Sequence, residues 1–174
     1  MKAVWALLAG FVVVWTLLFI VWPWFAGSPK QPAMRTAALS NMKRLGHSLV
    51  LYSQDSDGRF PPVDRWNDVV APVLMAEDPR VEIDRLLRLK YDDNTTLSAA
   101  MNAFLDQAKP VEDDGSTVLL VQVDSKGRNL CGGPADAWDG YGGDHKVAVG
   151  FTDGRAKQTP RRLLGQLRWR PRTK

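Results

Sequence analysis

Cysteine and histidine are scarce in this chain of 174 residues, which has one cysteine, Cys131, and two histidines, His47 and His145. A single cysteine excludes an intramolecular disulfide. A zinc site needs four cysteine or histidine ligands, or three with water, and these three residues are scattered along the chain. Zinc binding is therefore not expected, and about 145 residues beyond a short N-terminal segment can bury a core without disulfides.

The residues for nucleophilic catalysis are equally few. Cys131, His145 and Asp144 are the one imaginable nucleophile group. Nothing around Cys131 suggests an activated thiol, and the glycines at 132 and 133 predict a mobile loop. The chain also has no glycine-rich phosphate loop with a following lysine. We therefore expect a protein that is not an enzyme.

Charge is missing from the N-terminal segment, where no charged residue occurs between Lys2 and Lys30. An apolar run begins at Val4 and ends at Phe25, long enough to cross about 30 Å of hydrocarbon as a helix. Tryptophan favours the headgroup level and stands near both ends of this run, as Trp5, Trp22 and Trp24. Residues 1–27 are therefore predicted to be a single-pass anchor whose residues 4–25 lie in the lipid bilayer.

A cleaved signal peptide is the alternative to a retained anchor. The apolar run is longer than a signal peptide requires, and the small-residue site at 26–28 is followed by Pro29, a poor context for cleavage. We therefore expect the segment to be retained. Proline and glycine at 27, 29 and 32 then predict a linker over residues 28–32.

A domain over residues 33–160 is predicted to follow, beginning with a helix near Ala33. Its apolar residues recur at steps of three and four, which is one face of a helix: Met34, Ala38, Met42, Leu45, Leu49 and Tyr52. The stretch 54–58 favours a turn, and 60–62 is expected to be extended. Shorter helices are predicted over 65–75 and 84–89, and residues 97–108 form a further helix or an irregular segment.

Two stretches have the composition of β-strands. Residues 117–123 are dense in β-branched residues and apolar enough to be buried on both faces. Residues 147–159 read as a β-hairpin on an Asp-Gly turn. The fold class expected is α+β, with the amphipathic helix packed on a small antiparallel sheet.

Basic residues dominate the C-terminal end, where residues 155–174 contain eight lysines or arginines and no acid. Residues 161–174 are predicted to be a basic tail with a weak helix around 163–167. This tail could touch anionic lipid or acidic polysaccharide, or be a solvated segment that keeps the protein soluble. Trp169 is its one aromatic residue, so specific binding of nucleic acid is not expected.

Aspartates supply the remaining candidate ligands. Asp136, Asp139 and Asp144 share a glycine-rich stretch, and Asp153 follows in the next turn. Carboxylate oxygens suit calcium, so these four residues are a candidate calcium site. The alternative is that each aspartate makes an ordinary turn. No other cofactor is expected.

Residues 39–62 resemble a bacterial pattern, the end of the long helix in prepilin-like proteins that carry a C-terminal processing-associated motif. In that family a Ser-Asn-Leu-Lys-Gln helix runs into a Tyr-x-Gln-Asp-x-Asp-Gly-x-Phe-Pro turn. The matching residues are Ser40, Asn41, Lys43, Leu45, Gly46, Tyr52, Gln54, Asp55, Asp57, Gly58, Phe60 and Pro61. Trp66 and the triplet at 100–102 also stand where the family often has Trp and Ala-Met-Asn.

The resemblance continues near the C-terminus, where Phe151, Asp153 and Gly154 match the family's Phe-Ala-Asp-Gly-His hairpin. The family's histidine is followed by nine residues before Asp-Gly and does not match, because only seven residues separate His145 from Asp153. At the N-terminus Gly10 and Phe11 are present, but the glutamate expected five residues into the mature chain is replaced by Trp15.

The resemblance implies a non-catalytic, pseudopilin-like structural or accessory protein of a bacterial secretion or pilus-like system. Its partners would be other pilin-like subunits or envelope proteins, and its domain would lie outside the cytoplasm on the inner membrane. A count of positive charges beside the anchor points the other way, to a cytoplasmic domain. The alternative function is an envelope-exposed binding module that holds calcium or a polar ligand in the Gly/Asp-rich loop.

Overall fold

The computed structural model describes residues 2–25, 30–90, 96–108, 115–138 and 146–171. The chain divides into two compact units, residues 1–33 and 34–174. Some side chains within the helices of the first unit are not among those described.

The first unit contains helix α1, Lys2–Phe25, which is 24 residues long. Proline often ends a helix, but α1 continues past Pro23 to Phe25. The described large side chains of α1 are apolar and exposed, among them Trp5, Phe19 and Trp22. Within the described part of the chain, no helix is both long enough and apolar enough to cross a membrane. The transmembrane anchor thus stays a prediction from the sequence.

Helix α2, Lys30–Asp55, is the amphipathic helix that the sequence predicts. It begins three residues before the expected start at Ala33, and Pro32 is accommodated because the first-turn N–H groups of a helix have no partner within it. The predicted linker 28–32 is therefore helical from Lys30 onward. The expected face is the buried one, with Ala38, Met42, Leu45 and Leu49 buried and Met34 and Tyr52 half-buried.

The end of α2 is fixed by a left-handed residue. Asp57 has φ of 53° and the N–H of Gly58 donates to the carbonyl of Ser53 at 2.7 Å. This six-to-one hydrogen bond with a left-handed residue before it is a Schellman motif. Gly58 also has positive φ, 77°, which glycine adopts without steric cost. The turn predicted over 54–58 is confirmed.

Two short helices follow α2: α3, Trp66–Glu77, and α4, Ile83–Leu87. The described residues also contain six strands: β1, Arg88–Lys90, β2, Thr96–Asn102, β3, Val118–Asp124, β4, Cys131–Gly132, β5, Lys146–Phe151, and β6, Ala156–Pro160. They form one sheet in the order β1-β2-β3-β5-β6, with β4 also paired to β2. Neighbouring strands are antiparallel except β2 and β4, which are parallel, so the sheet is mixed rather than purely antiparallel.

Both faces of the sheet are covered, and each has its own apolar cluster. On one face α2, α3 and α4 pack against the sheet, with Leu49, Trp66 and Leu120 among the buried residues. On the other face Ala137, Leu164 and Trp169 cover residues of β3 and β5. The central strand β3 is therefore buried on both sides, as its sequence predicts.

The sequence predicts a helix or an irregular segment over 97–108, and this is wrong for the first half of the stretch. Residues 96–102 form β2, which pairs with β3 in the middle of the sheet, and a 3-10 helix, Ala103–Leu105, follows. Alanine, leucine and methionine favour helices in isolation. Here Ala99, Ala100 and Met101 are buried between the two layers, and burial outweighs that weak preference.

The C-terminal segment is not the free basic tail that the sequence predicts. Residues 161–166 form a 3-10 helix, Arg161–Gln166, and Leu164 and Trp169 are buried in the second apolar cluster. The carbonyl of Arg168 accepts a hydrogen bond from the Val118 N–H at 2.8 Å. Residues 161–171 are therefore part of the folded domain, because two apolar side chains bind this basic segment to the sheet.

Asn102 joins the sheet to this segment. Its buried amide nitrogen donates to the carbonyls of Val118, at 2.7 Å, and Trp169, at 2.6 Å. Its side-chain oxygen accepts from the Phe104 N–H at 3.0 Å and so caps the 3-10 helix. One fully buried side chain thus satisfies three backbone groups in three different segments.

Replacing Asn102 tests this role. Asn102→Ala leaves buried backbone groups without partners and should lower the free energy of unfolding by about 2 to 4 kcal/mol. Asn102→Asp should cost more at pH 7.5 than at pH 4.5, because a buried carboxylate facing two carbonyl oxygens is favoured only when protonated. Urea unfolding at the two pH values measures both effects. Equal stability of Asn102→Asp and the parent protein at pH 7.5 would contradict the assignment.

Candidate functional site

The two segments of the family resemblance, 39–62 and 151–155, meet in the folded domain. Gly46 lies in the middle of α2, and Gly154 lies in the turn between β5 and β6. A Cβ atom added at Gly46 would lie 3.8 Å from the Gly154 Cα. This contact, called the motif junction below, brings together residues that are far apart in the sequence.

A second close approach lies beside the motif junction. A Cβ added at Gly150 of β5 would be 3.3 Å from the Leu120 Cβ and 3.7 Å from the backbone oxygen of Met42. Helix α2 therefore crosses the hairpin at a place where strand and turn present glycine. The side-chain amide of Gln158 in β6 also donates to the Arg35 carbonyl of α2 at 3.2 Å. The helix is thus held against both strands of the hairpin.

The turn of the hairpin is built by Asp153. Its carboxylate accepts from the backbone N–H of Arg155 at 2.9 Å and from the Nε of the same residue. Arg155 in turn donates to the carbonyl of Gly115 at 3.4 Å. Gly115 has φ of 75°, and an added Cβ would be 2.5 Å from the Asp153 Cβ, so only glycine fits there. The family-motif residues Asp153 and Gly154 therefore have structural roles in this turn.

The remaining family-motif residues divide into packing and exposed positions. Asn41 donates from its side chain to the Leu86 carbonyl at 3.0 Å, which fixes α4 beside α2. Phe60 and Pro61 are buried, and the Phe60 N–H donates to the Ala108 carbonyl at 3.2 Å. The side chain of Phe151 is buried in the second apolar cluster. The exposed residues are Ser40, Gln54, Asp55, Asp57 and Gly58, and Tyr52 is half-buried.

Two of the four aspartates of the predicted calcium site, Asp139 and Asp144, lie outside the described residues. Asp136 is exposed, and its carboxylate accepts from the Gly133 N–H at 2.8 Å, an ordinary turn contact. The Asp153 carboxylate accepts hydrogen bonds from the backbone and side chain of Arg155. Among the described residues, no group of three or more His, Cys, Asp or Glu side chains is arranged to hold a metal ion. Calcium binding stays a prediction, which a calcium-dependent rise in melting temperature would support.

The candidate nucleophile group is described only in part, because His145 and Asp144 lie outside the described residues. Cys131 is an exposed free thiol. His47 is exposed as well, with its Nε2 at 3.6 Å from Glu77. The absence of catalysis stays a prediction.

An open concavity beside the motif junction has four basic residues among the nine that line it. It has a volume of about 700 Å³ and is called the basic groove below. Its lining comes from α2, from the hairpin and from the C-terminal segment: Lys43, Ser116, Phe151, Arg155, Ala156, Lys157, Gln166, Leu167 and Arg168. The excess of basic residues from 155 onward is the feature of the sequence that indicates a basic surface here. The sequence does not indicate that Lys43 belongs to this surface, because only the packing of α2 places it in the groove.

No protein-family model matches this chain, and no curated protein or solved structure is significantly similar to it. The function is therefore inferred from the sequence and from the arrangement of the described residues.

The motif junction limits the size of the side chain that fits at position 46. Gly46→Ala should raise the free energy of unfolding by about 0.5 to 1 kcal/mol, because alanine favours the helix and its methyl group meets Gly154 at ordinary contact distance. Gly46→Leu should lower it by about 1 to 3 kcal/mol, because the longer side chain separates α2 from the hairpin. Urea unfolding of the two variants measures both changes in the free energy of unfolding. If leucine is tolerated as well as alanine, α2 is not close to Gly154.

Proposed function

We propose that this protein is a pseudopilin-like structural or accessory component of a bacterial secretion or pilus-like envelope system. Its N-terminal segment would anchor it in the inner membrane, and its domain would lie outside the cytoplasm. The single observation that carries the proposal is the motif junction. The helix motif and the hairpin motif resemble one family separately, and Gly46 and Gly154 bring them into contact.

The contacts of the motif residues support a structural role. Asp57 and Gly58 end α2, Asn41 holds α4, and Asp153 shapes the hairpin turn. Each of these residues fixes local backbone structure or the packing of neighbouring helices. A structural protein of this family needs such a rigid head, whereas a catalytic site would need groups held free for a substrate.

The proposed anchor is supported by the sequence. Residues 4–25 contain no charge, and tryptophans flank both ends of the run. In the folded chain, exposed apolar side chains such as Phe11 and Ile20 on α1 would be costly in water. A lipid bilayer would cover such a surface. Other pilin-like subunits could share it.

Thiol labelling tests this arrangement, because Cys131 is the one cysteine and is exposed. Spheroplasts that express the full chain are treated with a maleimide that cannot cross the inner membrane. The proposal predicts that Cys131 is labelled without lysis. A matched variant, Ala3→Cys with Cys131→Ser, moves the thiol to the other end of the apolar run and should be labelled only after lysis.

Denatured samples of both variants provide the control that each thiol can react. The opposite pattern, with Cys131 labelled only after lysis, would place the domain in the cytoplasm and overturn the secretion assignment. Labelling of both thiols in intact spheroplasts would show that residues 4–25 do not cross the membrane. Extraction of the protein by alkaline carbonate would independently show that the segment is not embedded in the bilayer.

A further inference from the structure

The basic groove brings cations together from three separate parts of the domain. Lys43 comes from α2, Arg155 and Lys157 come from the hairpin, and Arg168 comes from the C-terminal segment. Its described lining contains no aspartate or glutamate. Four cationic side chains thus line one concavity, and of these Arg155 is paired with the Asp153 carboxylate.

The ammonium groups of the groove are available to a ligand. Lys43 and Lys157 are exposed, and among the described residues no carboxylate forms an ion pair with either. The Lys157 ammonium lies 5.0 Å from the centre of the Phe151 ring, which orients it without neutralising it. Arg155 uses its Nε for Asp153, and its side chain is still 70% exposed.

Cationic side chains that line one concavity give it a positive potential, which attracts an anion. A single carboxylate would neutralise only one of the cations. A phosphate group has a charge of about −1.5 to −2 at neutral pH and three acceptor oxygens, and guanidinium and ammonium groups both bind it. Phosphate chemistry therefore fits the groove better than a lone carboxylate.

We infer that the basic groove binds a phosphate-bearing anion through Lys43, Arg155 and Lys157. The groove is open, so the phosphate is held at the surface and the remainder of the ligand projects into solvent. Two sources share this chemistry, a phospholipid headgroup and a soluble phosphate compound. The site is formed entirely within residues 34–174 and does not depend on the proposed secretion role.

Pyrophosphate is the probe that tests the site. The full chain in a nonionic detergent is titrated with pyrophosphate by isothermal calorimetry at low ionic strength, where exposed charges are least screened. The parent protein should bind one equivalent. Lys43→Gln with Lys157→Gln should weaken binding by about tenfold or more, because two charge-assisted contacts are lost.

A control variant separates a site from general attraction by charge. Arg80→Gln with Lys126→Gln removes the same net charge from two exposed residues outside the groove lining. This variant should bind pyrophosphate within about twofold of the parent, because distant surface charges are screened by salt. Equal weakening by both double variants would overturn the proposal. So would the absence of measurable binding by the parent.

Competition then distinguishes the two sources of phosphate. In one arm the micelles contain phosphatidic acid, whose headgroup is a phosphate monoester, and in the other soluble glycerol phosphate is added at the same concentration. Displacement of pyrophosphate only by the lipid assigns the groove to headgroups at a membrane surface. Displacement by both assigns it to soluble phosphate compounds. Failure of both to compete would contradict a phosphate site.

Discussion

The buried amide of Asn102 is the interaction on which the arrangement of the domain depends. It binds the carbonyls of Val118 and Trp169 and caps the 3-10 helix through Phe104. An amide suits this place because it offers two donors and an acceptor without charge, and the surrounding backbone presents two acceptors and a donor. A leucine of similar size would leave all three backbone groups unsatisfied. The triplet at 100–102 contributes to the family resemblance, and these three hydrogen bonds explain physically why its third residue is asparagine.

The position of the C-terminal segment follows from Asn102, and the basic groove follows from that segment. Trp169 is held by the amide, and the adjacent Leu167 and Arg168 form one side of the groove. The opposite side is α2, which approaches the hairpin closely where Gly46 faces Gly154 and where Gly150 lies near the Met42 carbonyl. A side chain larger than alanine at Gly46 would separate α2 from the hairpin and move Lys43 away. The motif junction and the groove are therefore two results of the same close packing.

Much of this fold is predictable from the sequence, and the failures have physical causes. Helix α2, strand β3 and the β5–β6 hairpin are predictable because each has a strong local pattern of apolar residues or turn residues. Strand β2 is not, because small residues such as Ala99 and Ala100 fit a buried strand only when both neighbouring layers are present. The predicted tail 161–174 resembles a solvated segment because its six charged residues outnumber its four apolar ones. Likewise, the groove could not be predicted whole, because Lys43 joins it through tertiary packing alone.

The C-terminal segment shows why charge counts alone do not describe a basic stretch. A free basic tail keeps its conformational entropy and loses it on binding a ligand, which lowers its affinity for each contact made. Here Leu164 and Trp169 are buried, so the order of the segment is supplied by the hydrophobic core when the protein folds. Arg168, which lines the basic groove, therefore lies on a segment that is already ordered, and the cost of ordering that backbone does not fall on a binding step. A solvated tail with the same charges would have to lose its conformational entropy whenever it bound a ligand.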